Sequence, residues 1–272
     1  MPETCAEQII LQRGIATPED INLEAIASTL GAKVKRRFLA GCEARIIGSG
    51  NRAVITVNRS NSEERQRFSI GHELGHWQRH RGQNFQCSKD DIGNFKNSSK
   101  KKEREADQFS ADLLMPWFLF KPIAGEFENA DFNTVLELKK RFKTSESATA
   151  LRLIESGIFP AILICHDQNK RQWFKRSNDI PRNWFPQDNL SPDSVAFDIV
   201  YGMAESDTSQ MQVKAAAWFD RRDAERYEIL EHSISYGEGT SLTLLEFFEA
   251  DMLEEYETTE APRGLDAFKW KR

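Results

Sequence analysis

The sequence predicts an α+β protein in two parts, and three observations carry that expectation. A β-hairpin pattern runs directly into an amphipathic helix that holds His72 and His76, four residues apart. A second helical segment rich in carboxylates follows between Lys102 and Pro116. Beyond about Gly157 the chain changes to short apolar runs broken by polar turns, the pattern of antiparallel strands. The expected units are residues 1–157 and residues 158–272.

The hairpin is read from Ala44-Arg45-Ile46-Ile47, the turn Gly48-Ser49-Gly50-Asn51, and Ala53-Val54-Ile55-Thr56-Val57. A polar loop, Asn58 to Ser62, then offers Ser62 as an N-cap, with Glu63 and Glu64 in the first turn where they complement the helix dipole. Phe68, Gly71, Leu74 and Trp77 repeat at helical spacing, and Gly82 is suited to stop the helix. In the middle of this helix stands His72-Glu73-Leu74-Gly75-His76. Residues four apart share a face about 6 Å along the axis, so both imidazoles can turn to one Zn²⁺ while Glu73 faces the water that hydrolyses. That is the ligand pair and general base of a zinc peptidase. A strand feeding such a helix is the layout of a zincin, whose sheet edge can take up an extended peptide by strand addition.

Hydrolytic zinc usually has three protein ligands and one open position. His80 continues the i, i+4, i+8 row, but an unbroken helix carries it roughly another 6 Å along the axis, past the metal. It is expected at the helix's C-terminal end, where a cation is favourable. The segment Lys102 to Pro116 offers a better candidate. Ala106, Phe109 and Leu113 form its apolar stripe, and Pro116 closes it. Glu103 and Asp107 share a face, so one can ligate zinc while the other accepts the outer N–H of a zinc-bound histidine. Opposite a lone helix they would simply be its solvated side; beside H-E-x-x-H, Glu103 becomes the preferred third ligand, with Glu105 as the alternative. Cys87 could cap zinc in a latent state, although a packed or idle thiol is the default.

H-E-L-G-H-W-x-x-H-R together with E-x-E-A-D-x-F-S-A-D-L-L-M-P resembles the ImmA/IrrE family of metallopeptidases over about Ile21 to Pro116. Asn22 to Ala27 and Leu30 to Val34 resemble the helix and strand that open that family's domain. The resemblance implies a gluzincin-like zinc peptidase that cuts a helix-turn-helix (Xre-like) repressor and so derepresses stress or mobile-element genes. One departure is Ser110, where the family usually has alanine.

Composition fits an intracellular regulator. The 272 residues are 39% hydrophobic, contain no apolar run long enough to span a bilayer, and begin without the basic and apolar regions of a secretory signal. Cys5, Cys42, Cys87 and Cys165 are scattered, as expected of reduced thiols in a cytoplasm. A net charge of −5 argues against direct nucleic-acid binding. Lys100-Lys101-Lys102 with Arg104 form the strongest cationic run, read as solvating the end of a polar, aperiodic connection from Gln83 to Lys101.

Residues 131–157 predict two helices separated by Lys143-Thr144-Ser145, an arrangement like a helix-turn-helix. The second helix sets Glu146 and Glu155 against a single Arg152, so a structural role is favoured over base readout. After that, Ala161 to Cys165 and Gln172 to Phe174 form an expected hairpin, Val195 to Val200 an expected strand, and Tyr227 to Ser235 and Thr240 to Phe247 further strands. Ala215 to Phe219 is an apolar run that periodicity cannot assign. Order and size resemble a GAF-like sensor domain. His166 and His232 are read as ordinary histidines. The expected function is therefore a zinc endopeptidase with an accessory domain. The alternatives are a noncatalytic zinc-containing module that binds a repressor or antitoxin, or a DNA-binding regulator.

Overall fold

The computed structural model describes residues 4–80, 86–88, 100–203 and 209–254, and its architecture is α+β with two sheets. Helix α1 (Cys5–Gln12) starts in a capping box: Thr4 Oγ1 accepts from Glu7 N–H at 3.3 Å and Glu7 accepts from Thr4 N–H at 3.2 Å. Helix α2 (Leu23–Thr29) is capped by the Asn22 side chain. Three strands follow, β1 (Ala32–Arg37), β2 (Cys42–Ser49) and β3 (Arg52–Asn58), and then the long helix α3 (Glu63–Arg79), with Ser62 accepting from Arg65 N–H. Strand β4 (Gln86–Ser88) completes a sheet of order β1-β3-β2-β4 in which β1 and β3 are parallel and the other pairs antiparallel. The hairpin register sets Ala44 opposite Val57 and Ile46 opposite Ile55, so these side chains lie in the core with Ile70 and Leu74 of α3.

Part of the aperiodic stretch from Gln83 to Lys101 is regular. Residues 86–88 pair with the edge of β2, and Lys100 opens helix α4 (Lys100–Leu114), so the cationic run belongs to that helix's first turn and not to a loop. Gly82 and the rest of the stretch lie outside the described residues. Pro116 ends the segment and caps α5 (Trp117–Ala124). Helices α6 (Phe132–Phe142) and α7 (Glu146–Ser156) are joined at Lys143–Ser145 as expected, Lys143 taking a left-handed conformation (φ 54°).

The second sheet is antiparallel throughout, of order β6-β5-β9-β8-β7, from β5 (Ala161–Asp167), β6 (Arg171–Arg176), β7 (Met211–Lys214), β8 (Glu228–Ser235) and β9 (Thr240–Glu246). Its two faces pack different layers. Leu163, Cys165, Leu242 and Leu244 join the same apolar core as Val135, Leu153 and Ile154 of α6 and α7, whereas Ile162, Ile164 and Leu245 face a second core with Trp184, Trp218 and Phe219. Two hydrogen bonds reinforce the junction: Ala130 N–H donates to Glu246 at 2.9 Å and Phe132 N–H to His232 Nδ1 at 3.1 Å.

One expected strand is a helix. Residues Val195–Val200 form α8, capped by Ser194, and Ala196, Ile199 and Val200 bury a stripe against β8 and β9. Six residues interrupted by the single polar Asp198 are too few to separate the two periods, and the Ser194 cap favours helix. Ala215–Ala217 is a 3₁₀ turn, and α9 (Ala250–Leu253) ends the described chain. Among the described residues no helix is long and apolar enough to cross a membrane.

Candidate metal centre

Helices α3 and α4 run antiparallel and very close, and two glycines permit it. A Cβ on Gly75 would stand 2.9 Å from the Ala106 Cα and 3.1 Å from the Phe109 Cβ; one on Gly71 would collide with the Ser110 hydroxyl and lie 3.1 Å from its Cβ. Ser110 donates to the Phe68 carbonyl at 2.8 Å and is fully buried. This contact carries Glu103 to the face of α3 that bears both histidines.

There, three atoms converge. The two Nε2 atoms of His72 and His76 are 3.0 Å apart, and Glu103 Oε2 lies 3.2 Å from the first and 3.4 Å from the second. Ligands placed tetrahedrally at about 2.0–2.1 Å from a zinc ion are separated by about 3.3 Å, so the trio has the spacing of one triangular face of such a site. The outer nitrogens are occupied: His72 Nδ1 is 2.9 Å from Asp107 Oδ1, and His76 Nδ1 is 3.2 Å from His80 Nδ1. A proton on His72 Nδ1, held by the Asp107 carboxylate, leaves its Nε2 as a bare lone pair aimed at the other two atoms. Two lone pairs and a carboxylate directed at one point suit a cation.

The electrostatics agree with that reading. Burial opposes charge on Glu103, yet when no cation is bound the His72 and His76 Nε2 atoms can carry protons in its place, and hydrogen bonds from them outweigh burial and hold the carboxyl down at about 2. Burial also lowers the His76 imidazole below its usual value. Glu73 is different. It is completely buried, neither carboxylate oxygen has a hydrogen-bond partner among the described residues, and burial pushes its carboxyl up to about 7. An orphaned acid inside a protein costs stability, so its retention beside the trio marks a group reserved for something else.

The alternative candidates fall elsewhere. His80 ends α3 with a non-helical backbone (φ −128°, ψ 34°) and turns to His76, not to the convergence point. Glu105 lies 3.2 Å from His80 Nε2 and is not in the trio. The Cys87 side chain lies outside the described residues. The sequence places Gly71 on the helix's repeating face without showing its packing role, and it gives no role to Gly75 or to the His80–Glu105 contact. The glycines carried a signal, two of them one turn apart within a helix where each costs stability unless a backbone must approach.

A cleft of about 810 Å³ opens beside the centre, walled by Phe68, Asp107 and Ala111, by the α6–α7 turn, and by Trp173 and Tyr236 of the second sheet. It reaches the outer side of His72 through Asp107 without including His72, His76 or Glu103. The start of α7 lines this cleft, and Arg152, the one basic residue of α7, is buried, paired with Asp112 at 3.0 Å and stacked 3.3 Å over Trp117. The helix-turn-helix-like segment thus serves as wall and core.

Residues 19–153 match the family model Peptidase_M78, the IrrE N-terminal-like domain. No curated protein matches the chain by sequence. Among solved structures, a Mycobacterium tuberculosis transcriptional regulator is similar over 93% of this chain and 90% of its own, with a TM-score of 0.57 and 16% identity, a likeness of fold that extends over both sheets.

Proposed function

Because residues 19–153 belong to the IrrE N-terminal-like family of M78 peptidases, we propose that the protein is a zinc-dependent endopeptidase that cleaves a helix-turn-helix (Xre-like) repressor and so derepresses stress-response or mobile-element genes. The observation that carries this reading is Glu73, buried beside the His72–His76–Glu103 trio with no hydrogen-bond partner for its carboxylate among the described residues. These three residues would hold the zinc ion. When bound, the ion supplies a Lewis acid that polarises the scissile carbonyl and acidifies a water. Glu73 then takes the water's proton at a carboxylate oxygen and delivers it to the leaving nitrogen. A carboxyl that burial raises toward about 7 accepts and releases a proton with equal ease near neutral pH, as this shuttle requires. Asp107 keeps His72 in the tautomer that leaves Nε2 free.

Residues 158–272 are proposed as an accessory or GAF-like sensor unit. The five-stranded antiparallel sheet supports this, as do Trp173 and Tyr236, which give it a direct hold on the cleft beside Asp107. The fold relative is a transcriptional regulator, in keeping with a place in gene control. A cytoplasmic setting agrees with the free thiols of Cys5, Cys42 and Cys165.

The test is incubation of the purified protein with a repressor encoded beside it, with and without zinc, followed by mass spectrometry. The expected result is discrete repressor fragments that require zinc and Glu73. An intact repressor in the presence of zinc-loaded wild-type protein refutes the cleavage reading.

A further inference from the structure

The two histidines of the trio are braced differently. His72 has a carboxylate, Asp107, on its outer nitrogen. The outer nitrogen of His76 meets another imidazole instead: its Nδ1 faces His80 Nδ1 at 3.2 Å, with ring centroids 5.3 Å apart, and His80 Nε2 faces Glu105 Oε2 at 3.2 Å. The contact exists because α3 stops at Arg79. His80 leaves helical geometry, its ring swings back over the last turn, and α4 brings Glu105 alongside from the opposite direction.

Resting on the zinc reading above, we propose that His80 and Glu105 are positioning residues that fix the tautomer and ring orientation of His76 toward the metal. The contacts among the described residues fit one arrangement of protons. If Nε2 of His76 gives its lone pair to zinc, Nδ1 carries the proton and must donate it. His80 Nδ1 then accepts and has no proton, so the His80 proton sits on Nε2 and donates to the Glu105 carboxylate. Both imidazoles are neutral, every ring nitrogen in the chain has a role, and the terminal acceptor is charged. The imidazole extends the reach of the carboxylate: Glu105 holds His76 through one intervening ring, where Asp107 holds His72 directly. His80 is 8% exposed at its side chain and Glu105 34%, so the sequence's cationic helix end is a mostly buried relay with one wet terminus.

The test measures zinc affinity by chelator competition, and thermal denaturation of the metal-free protein, for full-length wild type, His80→Ala, His80→Gln and Glu105→Gln. His80→Ala is expected to weaken zinc binding by about 10–100-fold, the usual effect of losing a group that orients a ligand. His80→Gln supplies an amide oxygen to accept from His76 and an amide N–H to donate to Glu105, and should recover most of the loss. Glu105→Gln keeps the hydrogen bond and loses the charge, so its defect should be the smaller. Two results overturn the proposal: wild-type affinity in His80→Ala, or a loss in His80→Ala matched by an equal destabilisation of the metal-free protein and not relieved by glutamine. Failure of the wild-type protein itself to bind zinc would instead remove the metal reading on which the relay rests.

Discussion

Replacing Gly75 with alanine should disable the metal centre without touching any residue in it. The new Cβ would stand 2.9 Å from the Ala106 Cα and 3.2 Å from its carbonyl oxygen, both backbone atoms that no rotamer change can move aside. Ordinary carbon–carbon contact is about 3.5–4.0 Å, so α4 must retreat by about 0.6–1.1 Å at this point. Glu103 lies three residues away on the same helix and moves with it. Metal–ligand distances tolerate only about ±0.2 Å, so the retreat exceeds the tolerance several-fold. Stability of the metal-free protein is a poor reporter, because an overpacking cost of about 1–3 kcal/mol is partly offset by the roughly 1 kcal/mol that alanine gains over glycine in a helix. Zinc affinity is the decisive quantity. It should fall by at least about 100-fold, which at saturating zinc removes about 2.7 kcal/mol of metal-induced stabilisation. Chelator competition gives the affinity directly, and melting curves with and without zinc give the linked stability. A Gly75→Ala protein that binds zinc as tightly as wild type would refute the claim that close α3–α4 packing sets the position of Glu103.

The remaining predictions address the chemistry and the core. Glu73→Gln should retain zinc at wild-type stoichiometry while repressor cleavage falls by about 10²–10⁴-fold, the usual worth of a general base; loss of metal with activity would make Glu73 structural. Glu103→Ala should lose zinc more severely than either His80→Ala or Glu105→Gln, and metal content after dialysis checks the ranking. Burial depresses the His166 imidazole to about 4, while an unfolded histidine titrates near 6.5, so its contribution to stability is intact above about pH 6.5 and is lost as pH falls toward 4, by at most about 3 kcal/mol. His166→Gln should therefore gain on wild type as pH is lowered through that window in denaturant titrations, and parallel pH profiles would disprove the assignment. A fragment ending at Gly157 should be insoluble, because it strips Leu163, Cys165, Leu242 and Leu244 from the core they share with α6 and α7; a soluble, zinc-loaded fragment would support separable units instead.

Much of the first unit was legible because its signals are local. The hairpin (though its turn closes to Gly50–Asn51 because Gly48 and Ser49 pair within the ladder), an N-cap at Ser62, a histidine pair at i and i+4, and a carboxylate pair at i and i+4 each depend on spacing within a few residues, and spacing is what a sequence records. It favoured Glu103 through its i+4 partner Asp107 and kept Glu105 as the alternative, since both lie on α4 and only the approach of α4 to α3 determines which oxygen meets Nε2 of His72 and which meets His80. That approach depends on missing atoms, the absent Cβ groups of Gly71 and Gly75, whose i, i+4 spacing shows that something must come close but not which helix does. The second unit was less legible. Val195–Val200 is too short for its period to be read, and in the first unit β4 pairs with the edge of β2 from a stretch that carries no strand pattern. The sequence by itself determined which residues could bear the chemistry and which local elements hold them; tertiary contact decided which of them meet, and that the second sheet completes the core of the first unit, because burial and close approach join residues far apart in the chain.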